Sequence, residues 1–435
     1  MKINFWNKLT PEEQNQRLLR KTQYNQSAMC KQVANIMAQV KTQGDDALFA
    51  LTEQLDGVKL TSLMVSPEEW VQAESLVSDA EKEAIFQVVQ RVKNHHQAQL
   101  PENWLFDSLD GIVCQRLARP IDRVGLYVPG GTAPLVSTVI MLAIPASVVG
   151  CKQRVLCTPP DKMGKINPAI LVAAKTCGIH QVCKVGGAQA IAAMAYGTTT
   201  IPKVDKIFGP GNQWVTQAKM QCVQENIAGI DMPAGPSELL VIADHDANCD
   251  FVAADLLSQA EHDVCAQVLL LTPSLTLAKA VLAAITRQLK TLSRQAIITQ
   301  ALENSSIIMV DDILTAIALS NRYGPEHLSL QVENPEQYLP HITCAGTIFM
   351  GPWTPEALGD YATGANHVLP TAGFTHLMSG LTVQDFIKTI GVQQASAQGL
   401  LKIGPLAKQL AQMEALTAHE NAIQCRLNAC QRSLS

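Results

Sequence analysis

A chain of 435 residues is longer than a single hydrophobic core usually serves, so the length predicts two large domains. Hydrophobic residues make up 47% of the chain, whereas charged and aromatic residues make up only 16% and 5%. This composition is typical of compact α/β enzymes with buried parallel strands. A net charge of −5 without a dense Lys/Arg cluster disfavours nucleic acid and anionic membranes as partners.

The first hundred residues are polar and carry helix signals. Thr10 and Ser66 each precede a proline and two glutamates, which predicts a helix beginning just after each of them. The N-terminus lacks the apolar core and small-residue cleavage site of a signal peptide, so we expect a cytoplasmic protein. The longest apolar stretch, at 136–150, is interrupted by Pro145 and small residues. It predicts a buried helix rather than a membrane span.

From about residue 120, β-branched runs alternate with glycine-bearing turns and alanine-rich stretches, a rhythm typical of parallel βαβ units. A second series begins with LLVIAD after IDMPAGPSE, which predicts a domain boundary near 238–240. Glycine turns follow strands at 129–131, 186–187 and 209–211. None matches the G-x-G-x-x-G dinucleotide fingerprint, so these turns either bind phosphate through exposed N–H groups or simply connect strand to helix.

Two short stretches carry a Glu-His pair, SQAEHD at 258–263 and GPEHL at 324–328. Gln259 and His262 stand three residues apart near the end of a predicted helix, so their side chains point to one face. They could share a metal ion, or the histidine could serve packing and the helix dipole. In GPEHL, a Gly-Pro turn delivers Glu326 and His327 to the start of a predicted strand. A carboxylate beside an imidazole offers two bases with different pKa values; the alternative is a solvated Glu next to a half-buried His.

The C-terminal part adds one polar loop and a helical tail. The loop GDYATGANHVLP contains Asp360 and His367, both competent as metal ligands or hydrogen-bonding groups. In the tail, TAHE at 417–420 resembles a capping box, so a helix is predicted to restart at Ala418 with His419 in its first turn. Such a tail must dock on the rest of the chain or on a second subunit, and the second alternative predicts a homodimer.

Twelve cysteines are scattered without a C-x-x-C pair. A chain of this length needs no disulfide framework, so we interpret them as buried thiols in a reducing compartment. Cys151 and Cys157 flank a predicted strand and are the alternative candidates for a nucleophile, but no histidine motif lies beside them.

Taken in order, eight stretches resemble the histidinol dehydrogenase family over nearly the whole chain. They are GLYVPGGTAPL, VGGAQAIAAMAYGT, PKVDKIFGPGN, IDMPAGPSE, LLSQAEHD, NRYGPEHL, GDYATGANHVLPT and LTAHENA. The resemblance implies an enzyme that oxidises L-histidinol through the aldehyde to L-histidine, the last step of histidine biosynthesis. It also implies two NAD used in succession and one zinc ion per subunit.

Through the matching stretches, the resemblance implies a role for each of a set of residues. The implied metal ligands are Gln259, His262, Asp360 and His419. The implied acid–base pair is Glu326 and His327, for which our hypothesis is that His327 takes the alcohol proton and Glu326 activates water. The implied substrate contacts are Ser237, Glu414, His327 and the metal ligands, with His367 as a further candidate. The implied NAD contacts are Tyr127, Gln189 and Asn212.

The resemblance further implies an α/β fold of two incomplete doubly wound, Rossmann-like domains with small helical N- and C-terminal appendages. Residues 23–126 plus 239–381 are expected to form the first domain, with zinc and the catalytic residues, and 127–238 the second, NAD-contacting domain. Residues 1–22 plus 382–393 are expected to form a small helical appendage. Residues 394–435 are expected to form a helical tail that is exchanged in a homodimer and completes the partner's site.

The chain departs from the family beside the predicted site rather than in it. Asp263-Val264-Cys265 follows the metal histidine where some members carry glycine and proline, and an insertion near DKMGKINPA lengthens a surface loop. Two other functions remain open from the residues alone: a zinc hydrolase in which Glu326 activates water, and a protein that only captures an imidazole ligand. Reduction of NAD by histidinol would distinguish a dehydrogenase from both.

Overall fold

A computed structural model of the chain describes residues 1–20, 26–108, 110–130, 133–233 and 235–434. The strands in these ranges are β1 (Lys2–Phe5), β2 (Trp104–Asp107), β3 (Ile112–Pro120), β4 (Arg123–Tyr127), β5 (Gln153–Thr158), β6 (Gln181–Lys184), β7 (Lys206–Phe208), β8 (Gly229–Ile230), β9 (Glu238–Ala243), β10 (Gln267–Thr272), β11 (Ser306–Met309), β12 (His327–Gln331), β13 (Thr347–Met350) and β14 (Ile387–Ala395). The helices are α1 (Pro11–Leu18), α2 (Gln26–Gln43), α3 (Asp45–Leu51), α4 (Pro67–Leu76), α5 (Asp79–Gln97), α6 (Val136–Val149), α7 (Pro168–Thr176), α8 (Gly187–Tyr196), α9 (Gln213–Gln224), α10 (Cys249–Ala260), α11 (Leu275–Leu289), α12 (Gln295–Glu303), α13 (Ile313–Tyr323), α14 (Glu356–Tyr361), α15 (Ala397–Met413) and α16 (Thr417–Leu434).

Two compact units are present, and the larger comprises residues 1–99 and 121–386. Its first sheet has six parallel strands in the order β1-β11-β10-β9-β12-β13. Strands β9 and β10 are buried along their whole length. Leu239 and Val241 pack into a core with α10, α11 and α12, whereas Leu240 and Ile242 pack into a core with α13. Burial on both faces explains why β9 reads as a continuous apolar run.

The second sheet of this unit has five parallel strands in the order β6-β5-β4-β7-β8. Helices α6 and α7 cover one face, and α8 and α9 cover the other. The predicted buried helix is confirmed as α6, which includes Pro145 and is buried through most of its length. Among the described residues, no helix is long and apolar enough to cross a membrane.

The N-terminal helices begin where the sequence predicts. Thr10 and Ser66 form complete capping boxes at the starts of α1 and α4. Helix α2 packs on α8 and α9, and α5 packs on α6, so these helices lie outside the helices that cover the five-stranded sheet. The predicted domain division differs from the structure in three places. It groups residues 23–126 with 239–381, although the helices of the first range pack with the five-stranded sheet. It also separates Tyr127 from the rest of β4, and it assigns Lys2–Phe5 to a helical appendage, although these residues form a strand of the six-stranded sheet.

The smaller unit comprises residues 100–120 and 387–435. Its sheet is antiparallel in the order β14-β3-β2, and β14 pairs with β3 along nine residues from Ile387 to Ala395. The prediction of a helical appendage at 382–393 is therefore wrong for most of that segment, because IKTIGVQQA pairs with a strand about 270 residues earlier in the chain. Helices α15 and α16 pack together, with Gly404 directly against Leu427.

Candidate functional site

The predicted acid–base pair lies at the amino end of the six-stranded sheet. His327 begins β12 and pairs in register with Leu239 of the neighbouring β9. Glu326 Oε2 accepts a hydrogen bond from the Glu238 N–H at 2.9 Å, and His327 Nδ1 donates to the Glu238 carbonyl oxygen at 3.0 Å. The two side chains approach to 3.6 Å, between His327 Nδ1 and Glu326 Oε2. One backbone unit of β9 therefore holds both residues.

Burial sets the protonation of this pair. Both residues are buried, and burial lowers the pKa of His327 to about 4, so the ring is neutral near pH 7. Because Nδ1 donates to a carbonyl, the neutral ring carries its lone pair on Nε2, which has no hydrogen-bond partner among the described residues. Burial also raises the pKa of Glu326 well above its usual value. The pair thus offers an unprotonated imidazole nitrogen and a carboxyl with increased proton affinity.

A cluster of possible metal ligands is formed by His262, Glu356 and Asp360. Ligand atoms of the three side chains all lie within 4.8 Å of one another. Asp360 Oδ1 is also 4.0 Å from His327 Nε2, so the cluster adjoins the acid–base pair. His262 is exposed, whereas Glu356 and Asp360 are buried. Partial desolvation lowers the pKa of His262, which favours the neutral ring that binds metal. The structure therefore brings together His262 and Asp360, two of the four predicted ligands.

Glu356 is a site residue that the sequence reasoning missed. Its pKa is raised well above the usual value by burial and by Asp360, and Ser258 Oγ donates to its Oε2 at 2.9 Å. Glu356 and Asp360 both lie on α14, four residues apart, and positions spaced in this way share one helix face. That spacing was the available sequence signal.

Gln259 is buried on α10, which is capped by Asn248 and ends at Ala260, shortly before His262. Within the described part of the chain, neither its Oε1 nor its Nε2 has a hydrogen-bond partner. A buried amide without partners costs about 1–3 kcal/mol. The side chain is therefore suited to a ligand that restores at least one of these interactions.

His367 lies in the loop that follows α14 and is bound to the backbone of Asp360. Its Nδ1 donates to the Asp360 carbonyl oxygen at 2.9 Å, and its Nε2 accepts from Thr138 Oγ1 at 3.3 Å. The preceding Asn366 donates to the Met141 carbonyl oxygen at 2.8 Å and contacts the buried His96 Nε2 at 3.3 Å. These bonds fix the loop against α5 and α6.

The predicted NAD contacts lie at the carboxyl ends of the five-stranded sheet, where ligands of parallel sheets usually bind. Tyr127 ends β4, is buried, and accepts a hydrogen bond at its hydroxyl from the Gly187 N–H at 3.0 Å. Gln189 is buried in the first turn of α8, and Asn212 is exposed and caps α9 by accepting from the N–H of Trp214. The sheet thus places all three at its carboxyl edge, and their role towards NAD stays a prediction.

The GPG turn at 209–211 approaches the end of β4 closely. Gly209 has a φ of +124°, and a side chain there would meet the Tyr127 carbonyl oxygen at 2.0 Å, so only glycine fits. A buried ion pair holds this turn: Asp231 Oδ2 accepts from the Gly209 N–H at 2.7 Å, and Lys219 Nζ donates to the Gly209 carbonyl at 2.9 Å. The turn is rigidly held, as a binding turn would be.

The remaining predicted substrate contacts are Ser237, Glu414 and His419. Ser237 is half-buried immediately before β9, and its carbonyl accepts from the Gln267 N–H at 3.1 Å. Glu414 and His419 belong to the smaller unit, where both are exposed. The helix break that was predicted between them is confirmed, although α16 begins at Thr417 rather than at Ala418. Their roles as substrate contact and metal ligand stay predictions.

Sequence comparison decides the family. The sequence model described as "Histidinol dehydrogenase" matches residues 19–427. This chain belongs to the histidinol dehydrogenase family. The histidinol dehydrogenase of Xylella fastidiosa is 48% identical over 427 residues, covering 98% of this chain and 99% of that protein. The histidinol dehydrogenase of Vibrio cholerae is 47% identical over 434 residues and is covered, like this chain, over 100% of its length.

The fold agrees with this assignment. The crystal structure of histidinol dehydrogenase from Elizabethkingia anophelis superposes with a TM-score of 0.95 at 44% identity, covering 99% of each chain. Membership of the histidinol dehydrogenase family makes this protein an oxidoreductase of histidine biosynthesis. It confirms the resemblance and the α/β fold with parallel sheets and helical termini; tail exchange in a dimer stays a prediction.

In this histidinol dehydrogenase family member, the thiols of Cys151, Cys157 and Cys265 have raised pKa values. All twelve carry free thiols in the described part of the chain. Burial raises the pKa of Cys151 to about 12, and a hydrogen bond with Cys183 together with burial raises the pKa of Cys157 well above the usual value. Burial raises the pKa of Cys265, beside the predicted metal histidine, to about 11. Thiols protonated at neutral pH are poor nucleophiles and poor ligands.

Proposed function

We propose that the protein oxidises L-histidinol through L-histidinal to L-histidine in the cytoplasm, as a zinc-dependent enzyme that uses two NAD per histidinol. The observation that carries the proposal is the buried Glu326–His327 pair beside the His262–Glu356–Asp360 cluster in a chain of the histidinol dehydrogenase family. Acid–base groups next to a candidate metal site suit the oxidation of an alcohol held in one orientation.

The residues present fit a zinc ion. Imidazole and carboxylate are common zinc ligands, and the unpartnered Oε1 of Gln259 could coordinate a metal ion. We assign Gln259, His262 and Asp360 as ligands, with His419 from the partner subunit as the fourth. When bound, zinc would act as a Lewis acid and hold the imidazole and amine of histidinol in a fixed orientation.

His327 is the proposed base for the alcohol. Its unpartnered Nε2 is the only ring nitrogen free to take a proton, since Nδ1 donates to Glu238. The lowered pKa keeps the ring unprotonated at neutral pH, so it is ready to take the hydroxyl proton as the substrate carbon is oxidised. Asp360, whose Oδ1 is 4.0 Å from Nε2, would offset part of the positive charge of the imidazolium and of the zinc ion that it holds.

Glu326 is the proposed base for the second oxidation. Its raised pKa makes its carboxylate a stronger base than an exposed glutamate. It would take a proton from the water that attacks the aldehyde, and the hydrated aldehyde would then be oxidised to the carboxylate. The Glu238 N–H holds Oε2 at 2.9 Å, so the proton acceptor is fixed before the water arrives.

The carboxyl edge of the five-stranded sheet is the proposed NAD site. We assign Tyr127, Gln189 and Asn212 as contacts of NAD, which would accept the hydride in each oxidation. The turns at 186–187 and 209–211 stand at the starts of α8 and α9, and the positive dipole of a helix start favours phosphate. Gly187 lies so close to Gln189 that a side chain at 187 would meet Oε1 at 2.7 Å.

We propose that the smaller unit completes the site of a second subunit in a homodimer. Glu414 and His419 lie at the break between α15 and α16 and are exposed in the single chain. Leu406, Leu410 and Met413 on α15 are also exposed, and a cluster of large apolar side chains on one helix is typical of an interface. In the dimer, Glu414 would contact the substrate and His419 the zinc of the partner's site.

The proposal is tested by turnover together with metal analysis. The purified protein, incubated with L-histidinol and NAD, should form reduced nicotinamide, measured by absorbance. Treatment with a chelator should remove zinc and activity together, and added Zn²⁺ should restore both. A protein that retains full activity after the metal has been removed would contradict the zinc assignment, and one that never reduces NAD would contradict the dehydrogenase function.

A further inference from the structure

The orientation of the acid–base pair depends on one residue that belongs to neither the pair nor the metal cluster. The backbone of Glu238 donates to Glu326 and accepts from His327, so any displacement of this peptide would move both catalytic side chains. Catalysis is sensitive to such displacement, since a shift of about 1 Å can cost about a hundredfold in rate. What fixes Glu238 therefore matters for the chemistry.

The Glu238 side chain is a carboxylate that is only 3% exposed. Arg20 forms a bidentate pair with it, from Nε to Oε1 at 2.5 Å and from Nη2 to Oε2 at 2.8 Å. The Ala372 N–H also donates to Oε1, at 2.8 Å. Arg20 comes from the N-terminal segment, 218 residues before Glu238. A buried charge needs such a partner to be tolerated.

Arg20 also holds the turn that precedes the catalytic pair. Its Nη2 donates to the carbonyl oxygens of Tyr323 at 2.9 Å and Gly324 at 3.1 Å. Its guanidinium lies over the Tyr323 ring, 3.9 Å from the centroid. Gly324 has a φ of +61° and ends α13, so the chain turns sharply here towards Glu326. One guanidinium thus connects the start of β9 with the turn before β12.

We propose that Arg20 is a positioning residue for catalysis. Through Glu238 and the Tyr323–Gly324 carbonyls, it holds Glu326 and His327 in their working orientation without itself acting in the chemistry. The function requires arginine, because the planar fork satisfies two carboxylate oxygens and two carbonyls at once, which a single lysine ammonium cannot do. This inference rests on the proposed function, since its readout is histidinol oxidation.

The test compares Arg20→Lys and Arg20→Ala with the wild-type enzyme. For both variants, we expect kcat for histidinol oxidation to fall by about 10- to 100-fold, while KM for histidinol changes by less than about threefold. The reason is that the metal cluster that would bind the substrate is formed by His262, which follows α10, and by Glu356 and Asp360 of α14, whereas Arg20 holds Glu238 and the Tyr323–Gly324 turn. Arg20→Lys should behave like Arg20→Ala although it retains the charge.

Arg322→Ala is the matched control. Arg322 is an exposed arginine on α13 that donates to Asn15 Oδ1 of α1. Arg322→Ala therefore removes a guanidinium group, as Arg20→Ala does, together with a different contact of the N-terminal segment. It should leave kcat within about twofold of wild type, as expected for a surface change. If Arg322→Ala lowers kcat as much as Arg20→Ala does, general anchoring of the N-terminal segment explains the effect and the inference is overturned.

Chemical rescue gives a second readout. Arg20 is 24% exposed, so a small cation can reach its place. Methylguanidinium should restore part of the kcat of Arg20→Ala, and methylammonium at the same ionic strength should not. If Arg20→Ala does not fold, kcat and KM of Arg20→Lys decide the question alone. If the wild type oxidises histidinol and Arg20→Lys has the same kcat, only the inference about Arg20 is overturned. If the wild type does not oxidise histidinol, the proposed function is overturned.

Discussion

Replacing Glu326 by Gln should separate the two oxidations. Glu326 Oε2 accepts the Glu238 N–H at 2.9 Å, and a glutamine oxygen can accept the same bond, so the position of the side chain is retained. Burial raises the pKa of Glu326, which means that the ionised carboxylate is disfavoured in the fold. A neutral amide of the same size avoids that cost, so we expect no loss of stability from this substitution.

The magnitude follows from what the carboxylate does. A positioned general base contributes about 10²- to 10⁴-fold to rate, so the aldehyde step of Glu326→Gln should slow by that factor. In the proposed mechanism the alcohol step uses His327 Nε2, whereas the closest approach of Glu326 to this ring, 3.6 Å, is to Nδ1. That step should therefore slow by less than about tenfold.

The assay supplies L-histidinol and L-histidinal separately with NAD and measures kcat for each. During histidinol oxidation by the variant, the aldehyde should accumulate and be trapped by a carbonyl reagent. His327→Asn is the matched control, because it should slow the alcohol step by about 10²-fold or more. Equal losses of both steps in Glu326→Gln would refute the division of labour between the two residues.

Three further predictions concern stability and assembly. Lys219→Met should lower the free energy of unfolding by about 3–5 kcal/mol in denaturant titration, because it leaves Asp231, 0% exposed, without its ion-pair partner; a loss below about 1 kcal/mol would contradict this. Burial lowers the pKa of His96 in the folded chain below its usual value of 6.5. Below pH 6.5 the unfolded chain therefore binds a proton that the folded chain does not, so the free energy of unfolding should fall as the pH drops, and fall less in His96→Gln. Parallel pH profiles of the wild type and His96→Gln would contradict this prediction. Inactive His262→Asn and His419→Asn subunits, mixed under conditions of proven exchange, should regain activity, because each mixed dimer then has one intact site; no recovery would count against sites shared between subunits.

The sequence predicted the parts of the site that lie on regular elements or in distinctive turns. Glycine turns after strands located the carboxyl edge of the five-stranded sheet, and GPEHL located the start of β12. These features are visible in sequence because they depend on local backbone geometry. The shared helical face expected for Gln259 and His262 stays a prediction, because α10 ends at Ala260 and His262 follows it.

Features that depend on contacts between distant segments were not predicted. Strand β14 lacks a strong local signal and forms by pairing with β3. Lys2–Phe5 is a strand only because β11 lies beside it. The buried pair of Lys219 and Asp231 and the contact of Arg20 with Glu238 also look like ordinary surface charges in sequence, since burial is decided by tertiary packing.

We propose that one site carries out both oxidations of histidinol. The most direct measurement is the amount of reduced nicotinamide and histidine formed when a limiting amount of L-histidinol is fully consumed by zinc-loaded protein with excess NAD. We expect two reduced nicotinamides and one histidine for each histidinol. One reduced nicotinamide with accumulation of the aldehyde, or consumption of histidinol without any reduced nicotinamide, would contradict it.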